Sequence, residues 1–167
     1  LKKGILSLMS NTFSRGIMMI ILGIDPGTAI TGFGIVEFIG NRFKVIDYGK
    51  ILTSNDLSLA ARLKKIYLKI EDLIEKHKPE HLVVEELFFN KNTRTALSVG
   101  HARGIILLAG AIHNMPTFEY TPLQVKQAVV GYGRAEKRQV QEMVRTILNL
   151  EEIPKPDDVA DALAITI

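Results

Sequence analysis

The 167-residue chain contains no cysteine, which excludes disulfide bonds, thiolate zinc sites and catalysis by a thiol. This absence is typical of a reducing compartment, so we expect a cytoplasmic location. The chain also lacks any run of about 18 apolar residues, the length that a membrane helix needs, so no membrane association is expected. Internal repeats and low-complexity segments are absent as well. With 47% hydrophobic and 23% charged residues, the composition is that of one ordinary globular domain.

Charge is distributed unevenly along the chain, which has 21 basic and 18 acidic residues. Residues 1–18 carry three basic residues and no acid, so the remaining chain is formally neutral. Within that remainder, residues 91–145 have eight basic and three acidic side chains, whereas residues 146–167 have one basic and five acidic. A basic middle segment followed by an acidic end is a weak indication of a nucleic-acid partner.

Residues 1–18 differ from the rest of the chain. They are rich in serine and free of acids, as transit peptides are, yet they directly precede a strongly predicted strand. We interpret them as an extension outside the fold that arises from upstream translation. Residues 19–167 are then expected to form the single domain.

The pattern of apolar residues predicts alternating strands and helices. Gly40 and Asn41, between the second and third strands, are typical of a tight hairpin turn. The order of elements predicts an α/β domain with a mixed sheet. The expected strands are 19–25, 31–39, 42–52, 82–86 and 117–120, and the expected helices are 57–77, 92–114, 122–130, 135–150 and 157–167.

Acidic residues end two of the predicted strands. Asp25 lies in the sequence GIDPGT, where Gly27 allows a sharp turn and the close approach of a metal or phosphate. The alternative for Asp25 is a plain turn that begins with aspartate. Glu85 and Glu86 end the fourth strand, and because adjacent strand residues point to opposite faces, only one of them can face Asp25. Binding and catalytic sites of α/β proteins lie at such strand ends.

Three further acids open the last predicted helix. Asp157 is expected to be its N-cap, while Asp158 and Asp161 are three residues apart and share one helix face. Taken singly, each could simply offset the helix dipole. Together with Asp25 and one of the two glutamates, Asp158 and Asp161 predict a carboxylate cluster that must either bind metal or hold protons. Oxygen ligands favour Mg²⁺ or Mn²⁺, and two such ions about 4 Å apart commonly hydrolyse phosphodiesters.

Aromatic and basic residues near these acids predict a surface for nucleic acid. Phe88 and Phe89, beside Lys91 and Arg94, suit stacking on unpaired bases, although we expect one of the two phenylalanines in the core. About half of the basic residues that follow in the sequence are expected to lie on a solvated helix face without contacting DNA. The candidate phosphate contacts are Lys126, Arg134, Lys137, Arg138 and Arg145.

Four segments, in this order, resemble the bacterial RuvC Holliday-junction resolvases: GIDPGT at 23–28, VVEELFFNKNTRTALSVGHARG at 83–104, FEYTPLQVKQAVVGYGRAEKRQVQ at 118–141 and PDDVADALAI at 156–165. The resemblance runs from about residue 19 to residue 167. It implies an RNase H-like α/β fold, in which a mixed five-stranded sheet is flanked by helices.

The resemblance also implies an activity. Members of this family act as homodimers that bind a four-way DNA junction and nick two opposing strands symmetrically, in recombination and DNA repair. They need Mg²⁺, or Mn²⁺ in its place, with two ions at each active site, and they cooperate with the RuvA and RuvB branch-migration proteins. A two-fold protein presents two equal sites to a two-fold junction, and the small-residue helix 92–114 is our candidate for part of the interface.

The family motifs assign roles to individual residues. They imply that the four catalytic, metal-binding acids are Asp25, Glu85, Asp158 and Asp161, with Glu85 chosen over Glu86 and Asp157 left as the helix cap. The aromatic residue that wedges into the junction corresponds to Phe88. The family's DNA-contacting lysines correspond to Lys126 and Lys137.

Two departures from the family and two rival functions accompany this interpretation. Residues 1–18 have no family counterpart, and family members usually continue past the last helix with a basic tail, so we expect a truncated C-terminal tail.

The Asp-x-Gly-Thr sequence also fits a fragment of an actin-like or sugar-kinase ATPase, but such enzymes need two domains around a cleft. A non-catalytic nucleic-acid-binding module is the other rival, and the set of four acids disfavours it.

Overall fold

The computed structural model describes residues 18–86 and 93–167 and contains a five-stranded sheet with helices on both faces. The strands are β1 (Met18–Asp25), β2 (Ile30–Ile39), β3 (Arg42–Leu52), β4 (His81–Glu85) and β5 (Thr117–Tyr120). The helices in this part of the chain are α1 (Leu59–His77), α2 (Thr93–Ile112), α3 (Pro122–Val130), α4 (Lys137–Ile147) and α5 (Asp157–Ala164). These bounds confirm the order of elements predicted from sequence.

The sheet is mixed, with strand order β3-β2-β1-β4-β5. The first three strands form an antiparallel meander, whereas β4 and β5 run parallel to β1. The predicted hairpin is present, with Ile39 opposite Arg42. Gly40 and Asn41 between them have positive φ angles of 48° and 70°, the turn conformation that matches the twist of paired strands.

Alternating strand residues build a separate core on each face of the sheet. On one face, Leu22 and Ile24 of β1 and their neighbours pack against α1 and α2. On the other face, Val36 and Val83 pack against α3, α4 and α5. The central strands are therefore apolar on both faces, as expected of a strand buried between two helical layers.

Helix α5 lies unusually close to the sheet because β1 and β2 present glycines beneath it. A Cβ atom added to Gly32 would collide with the backbone carbonyl of Asp158, and one added to Gly23 would collide with that of Ala162. Only glycine allows the two backbones to approach this closely. The glycines thus fix the height at which the acids of α5 sit over the sheet.

Two helices are shorter in the structure than the sequence predicted. The helix expected over 135–150 begins at Lys137, because the Gln139 side chain accepts a hydrogen bond from the Glu136 backbone N–H and caps the start there. The helix expected over 157–167 ends at Ala164. None of the helices in the described ranges combines the length and apolarity needed to cross a membrane.

Candidate active site

Asp25 and Glu85 lie side by side at the carboxyl ends of two parallel strands. The register of β1 and β4 runs up to Ile24 opposite Val84, so the next residue on each strand is one of these two acids. Their carboxyl groups lie within hydrogen-bonding reach of each other. Two carboxyl groups can share a hydrogen bond only when one of them keeps its proton. Glu86, by contrast, is exposed, so the sheet brings Glu85 and not Glu86 to Asp25.

Helix α5 adds Asp158 and Asp161 to this pair. Asp25 is the cross-strand partner of Gly32 on β2, and the Asp158 backbone lies directly on Gly32. Both aspartates are half-buried, and their charges act on Asp25. The four acids suggested by the sequence therefore come together at one edge of the sheet.

Burial and mutual repulsion raise the proton affinity of this cluster. The pKa of Asp25 is raised to about 9, first by burial and then by the charges of Glu85, Asp161 and Asp158. Burial, followed by the charge of Asp161, also raises the pKa of Glu85. Burial raises the pKa of Asp161 despite an opposing hydrogen bond from Lys137. In the absence of added cations, the Asp25–Glu85 pair retains a proton at neutral pH.

Lys137, the first residue of α4, places a positive charge against the cluster. Its Nζ lies 3.0 Å from Asp161 Oδ2 and 3.2 Å from Asp157 Oδ2. One turn further on, the Gln141 side chain donates to Asp157 Oδ1 at 3.0 Å. These two hydrogen bonds lower the pKa of the Asp157 carboxyl, so Asp157 is held by α4, outside the cluster.

The prediction that Asp157 caps α5 is wrong. Pro156 occupies the N-cap position with an extended backbone, and no side chain caps the helix there. Asp157 is instead the first residue of the helix, and its carboxylate bonds to Lys137 and Gln141. The sequence around a helix start cannot reveal such a contact, because Gln141 and Lys137 lie at least 16 residues earlier in the chain.

Gly27, two residues after Asp25, has one of the two roles expected of it. A Cβ atom at Gly27 would collide with the backbone carbonyl of Ile30, so glycine is needed for the tight loop itself. The predicted sharp turn is present. The space beside the Gly27 α-carbon is filled by the protein's own backbone, so that side offers no approach to a metal or phosphate.

The donor set of the cluster fits a hard divalent cation. Its ligands are all carboxylate oxygens, the type that Mg²⁺ and Mn²⁺ favour, and its raised pKa values show a local shortage of positive charge. Across residues 18–86 and 93–167, no three acidic or histidine side chains are already arranged to hold an ion. The Asp25–Glu85 hydrogen bond and the Lys137–Asp161 pair engage oxygens that a cation would use.

A small pocket of about 190 Å³ opens beside the acids and brings two predicted DNA contacts to them. Glu85, Asp161, Lys126 and Lys137 line it together with apolar residues of α3, α4 and α5. A larger pocket of about 520 Å³ is mostly apolar and has no carboxylate in its lining. We place the site at the smaller pocket, because its lining includes two acids of the cluster, Glu85 and Asp161, together with two lysines.

The remaining sequence-predicted contacts are absent from the lining of this pocket or lie outside the described residues. Arg134 and Arg138 are exposed, close in sequence to Lys137. Arg145 pairs with Glu142 at 3.2 Å. Phe88, Phe89 and Lys91 lie outside the described residues, and Arg94 is described only as a backbone position in the first turn of α2.

Two lysines that no sequence pattern singles out also border the acids. Lys50 of β3 and Lys155, which precedes α5, line an open groove with Asp157 and Asp158. Lys50 lies opposite Gly32 in the β2–β3 register, which explains its closeness to Asp158. Side chains along β3 alternate between exposed and half-buried, so the sequence could have predicted that Lys50 is exposed. Its position near the acids follows only from the packing of α5 on the sheet.

The sheet order, with helices on both faces and acids at the ends of β1 and β4, defines an RNase H-like α/β domain. A family model described as "Crossover junction endodeoxyribonuclease RuvC" matches residues 21–167. The chain therefore belongs to the RuvC family of crossover junction endodeoxyribonucleases.

Individual relatives agree with this assignment. The chain is 67% identical to the RuvC of Desulforamulus reducens over 149 residues, covering 89% of this chain and 91% of that protein. It is 63% identical to the RuvC of Alkaliphilus metalliredigens over the same length, again covering 89% and 91%. The solved structure of Thermus thermophilus RuvC in complex with a Holliday junction substrate is 38% identical, with a TM-score of 0.84 and coverage of 88% of this chain and 90% of that one.

Proposed function

We propose that this protein resolves four-way DNA junctions by hydrolysing phosphodiester bonds at the Asp25–Glu85–Asp158–Asp161 cluster, with one nick in each of two opposing strands. The observation that carries this proposal is the meeting of the four acids at one edge of the sheet. The similarity to a RuvC that was solved with a Holliday junction supports the substrate. Recombination and DNA repair are the processes that such a reaction serves.

The metal is proposed to be Mg²⁺, two ions at each site, with Mn²⁺ able to replace it. Asp25, Glu85, Asp158 and Asp161 would hold the ions, which activate water and stabilise the leaving 3′ oxygen. Binding requires the proton shared by Asp25 and Glu85 to leave, because metal ligands must be deprotonated. Lys137 must also release Asp161 Oδ2, which leaves its Nζ near the pocket and able to contact a phosphate.

DNA is proposed to reach the site along the cations of α3, of α4 and of the loop between them. Lys126 and Lys137 line the pocket beside the acids, and Arg134 and Arg138 are exposed nearby. A row of cations on one side of a carboxylate site attracts the phosphate backbone without reading base sequence. Phe88, Lys91 and Arg94 are proposed to contact the junction next to the scissile strand, with Phe88 stacking on a base.

A homodimer through α2 is proposed to supply the second cut. The outward face of α2 is largely apolar, and its exposed residues recur at helical spacing: Leu97, His101, Gly104, Leu108, Ala111 and Ile112. A Cβ atom at Gly104 would meet nothing within 4 Å, so the backbone is open to a close neighbour. An apolar stripe of this kind on a helix is typical of a protein–protein contact, and RuvA and RuvB are the further partners we propose.

The two rival functions lack support. The family match spans residues 21–167 and is to a nuclease, which disfavours an ATPase fragment. A binding module without catalysis would gain nothing from four acids that repel one another. We retain residues 19–167 as the proposed nuclease domain, residues 1–18 as an extension, and the cytoplasm as the proposed location.

The deciding experiment offers the protein a synthetic four-way junction in the presence of Mg²⁺. We expect paired nicks in opposing strands, with no cutting of a linear duplex of the same sequence. Hydrolysis of ATP without cleavage of the junction would support the kinase-like alternative. Binding of the junction without cleavage in either Mg²⁺ or Mn²⁺ would support the non-catalytic module.

A further inference from the structure

The loop that follows Asp25 is held by hydrogen bonds to three consecutive backbone carbonyls. The Thr31 hydroxyl donates to the carbonyl of Gly27 at 2.6 Å. The Thr53 hydroxyl donates to the carbonyl of Thr28, and the Thr53 backbone N–H donates to the carbonyl of Ala29 at 3.0 Å. Two threonines, at the start of β2 and just after β3, therefore hold the whole loop.

Arg62 of α1 fixes the direction of the central bond. Its Nε lies 2.8 Å from Thr53 Oγ1, and a guanidinium group can only donate. The Thr53 oxygen must therefore accept from Arg62, which leaves its single proton for the Thr28 carbonyl. Without Arg62, the Thr53 hydroxyl would be free to rotate and the carbonyl could lose its donor.

The loop is also attached to α2, and the threonines that hold it are buried. The hydroxyls of Thr28 and Ser98 are 2.7 Å apart. Thr28, Thr31 and Thr53 are at most 9% exposed, so water cannot easily replace a lost partner, and a buried carbonyl without a donor is costly. The bonds therefore define one loop conformation.

We propose that Thr53 and Arg62 are positioning residues that hold Asp25 in the geometry its metal requires. Asp25 is the last residue of β1, and the first held carbonyl is two residues further on, at Gly27, so movement of the loop moves the Asp25 carboxylate. Metal ligands must stay within a few tenths of an ångström of their places, so even a small displacement of Asp25 would weaken metal binding. The hydrogen bonds to the loop oppose that displacement. This inference rests on the proposed function of the acid cluster.

A matched pair of threonine variants separates positioning from ordinary stabilisation. Thr53→Val removes the hydroxyl and keeps the β-branched shape. Thr166→Val does the same at another buried threonine, 4% exposed, whose hydroxyl donates to the Leu163 carbonyl at 2.7 Å. Thr166 lines the large apolar pocket, whose lining includes no acid. Thr166→Val loses one buried hydrogen bond and Thr53→Val loses two, to the Thr28 carbonyl and from Arg62, so both variants should have a lower Tm, and Thr53→Val the lower of the two.

The readouts are Mn²⁺ affinity of the metal-free protein by calorimetry, junction binding in Ca²⁺, and the cleavage rate across a range of Mg²⁺ concentrations. For Thr53→Val we expect Mn²⁺ affinity and cleavage rate to fall by about tenfold or more, the usual effect of losing a residue behind a metal ligand, with junction binding unchanged. Thr53→Ser should restore both, and Thr166→Val should leave both unchanged. Arg62→Met should reproduce the effect of Thr53→Val.

The inference is overturned if Thr53→Val and Arg62→Met bind Mn²⁺ as tightly as Thr166→Val does. If Thr53→Val does not fold, Arg62→Met, which leaves the threonine in place, carries the same comparison. Failure of the wild-type protein to cut the junction would instead overturn the proposed function. The Mn²⁺ affinities would still decide whether the loop positions Asp25.

Discussion

The carboxyl groups of Asp25 and Glu85 lie within hydrogen-bonding reach of each other at the ends of two adjacent parallel strands. A hydrogen bond between them exists only while the pair holds a proton. A divalent cation and this proton therefore compete for the same oxygens, and the competition links the pH, the metal and the stability of the protein.

Replacing Asp25 by asparagine is expected to abolish cleavage and to retain junction binding. Asparagine keeps the size of the side chain but removes the charge that holds the metal, so the cleavage rate should fall by about a thousandfold or more. Single-turnover cleavage and gel-shift binding in Ca²⁺ measure the two effects separately. Glu86→Gln, at the exposed neighbour of Glu85, is the control and should cut normally. Equal cutting by Asp25→Asn and the wild type would remove Asp25 from the site.

The metal-free protein should lose stability as the pH rises. The pKa of Asp25 is about 9 in the folded protein against an ordinary value of 3.8, so between these values the folded state binds more protons than the unfolded state. Stability is then highest at low pH and falls by up to about 1.4 kcal/mol per pH unit for this one proton. Thermal unfolding in EDTA from pH 5 to 8 measures the slope.

Two comparisons test the origin of that slope. Asp25→Asn should flatten it and should raise the Tm in EDTA at pH 8, because asparagine is neutral in both states and takes up no proton on folding. Mg²⁺ should raise the Tm of the wild type more than that of the variant, since a ligand stabilises only the state that binds it. A slope of equal size in Asp25→Asn would show that other groups dominate the pH dependence.

Lys126→Ala and Lys137→Ala should both weaken binding, but in different ways. Each should reduce the slope of log affinity against log salt by roughly 0.9, the contribution of one phosphate contact. Lys137→Ala also removes the partner of Asp161 and Asp157, so it alone should lower the stability of the metal-free protein.

Asp157→Asn serves as the control for the Lys137 contacts. It breaks the Lys137–Asp157 pair without removing a cation from the DNA surface. We expect its salt slope to match that of the wild type. An unchanged salt slope in Lys137→Ala would remove Lys137 from the phosphate contacts and leave it a purely structural partner of the acids.

Phe88→Ala is expected to reduce cleavage strongly and binding only modestly. A stacked aromatic contributes about 1–3 kcal/mol for each base, but many phosphate contacts would remain in its absence. Cleavage and binding of the same labelled junction report the two effects, and Phe88→Tyr should keep most of the activity. Normal cleavage by Phe88→Ala would assign this side chain to another role.

Leu108→Glu should convert the proposed dimer into a monomer. Leu108 is 51% exposed in the middle of the apolar stripe on α2, and a charge there cannot be desolvated without a partner. Light scattering after size-exclusion chromatography gives the oligomeric state. Leu123→Glu, at a 63% exposed leucine of α3, is the matched control and should remain dimeric. A wild-type monomer at micromolar concentration would contradict the proposed interface.

Much of the fold followed from local sequence. The apolar run before Asp25 predicted a buried strand, and the Gly40–Asn41 turn predicted the hairpin, because these patterns depend on neighbours in the chain. The alternation of strand side chains by itself limited the partner of Asp25 to one of Glu85 and Glu86. The acids of the last helix could be placed on one face because helical periodicity is equally local.

Only the tertiary structure decided which groups meet. The approach of α5 to Gly32 brings Asp158 to the edge of the sheet that holds Asp25, and the start of α4 at Lys137 turns Asp157 away from the expected cap. The Thr53 hydroxyl donates to the loop after Asp25 from 25 residues away, and Arg62 donates to Thr53 from nine residues away. The sequence by itself determined the elements and the chemical types of the site, since both depend on local pattern. The packing of distant segments determined which acids are paired, buried and protonated, because proton affinity depends on every charge and surface that surrounds the group.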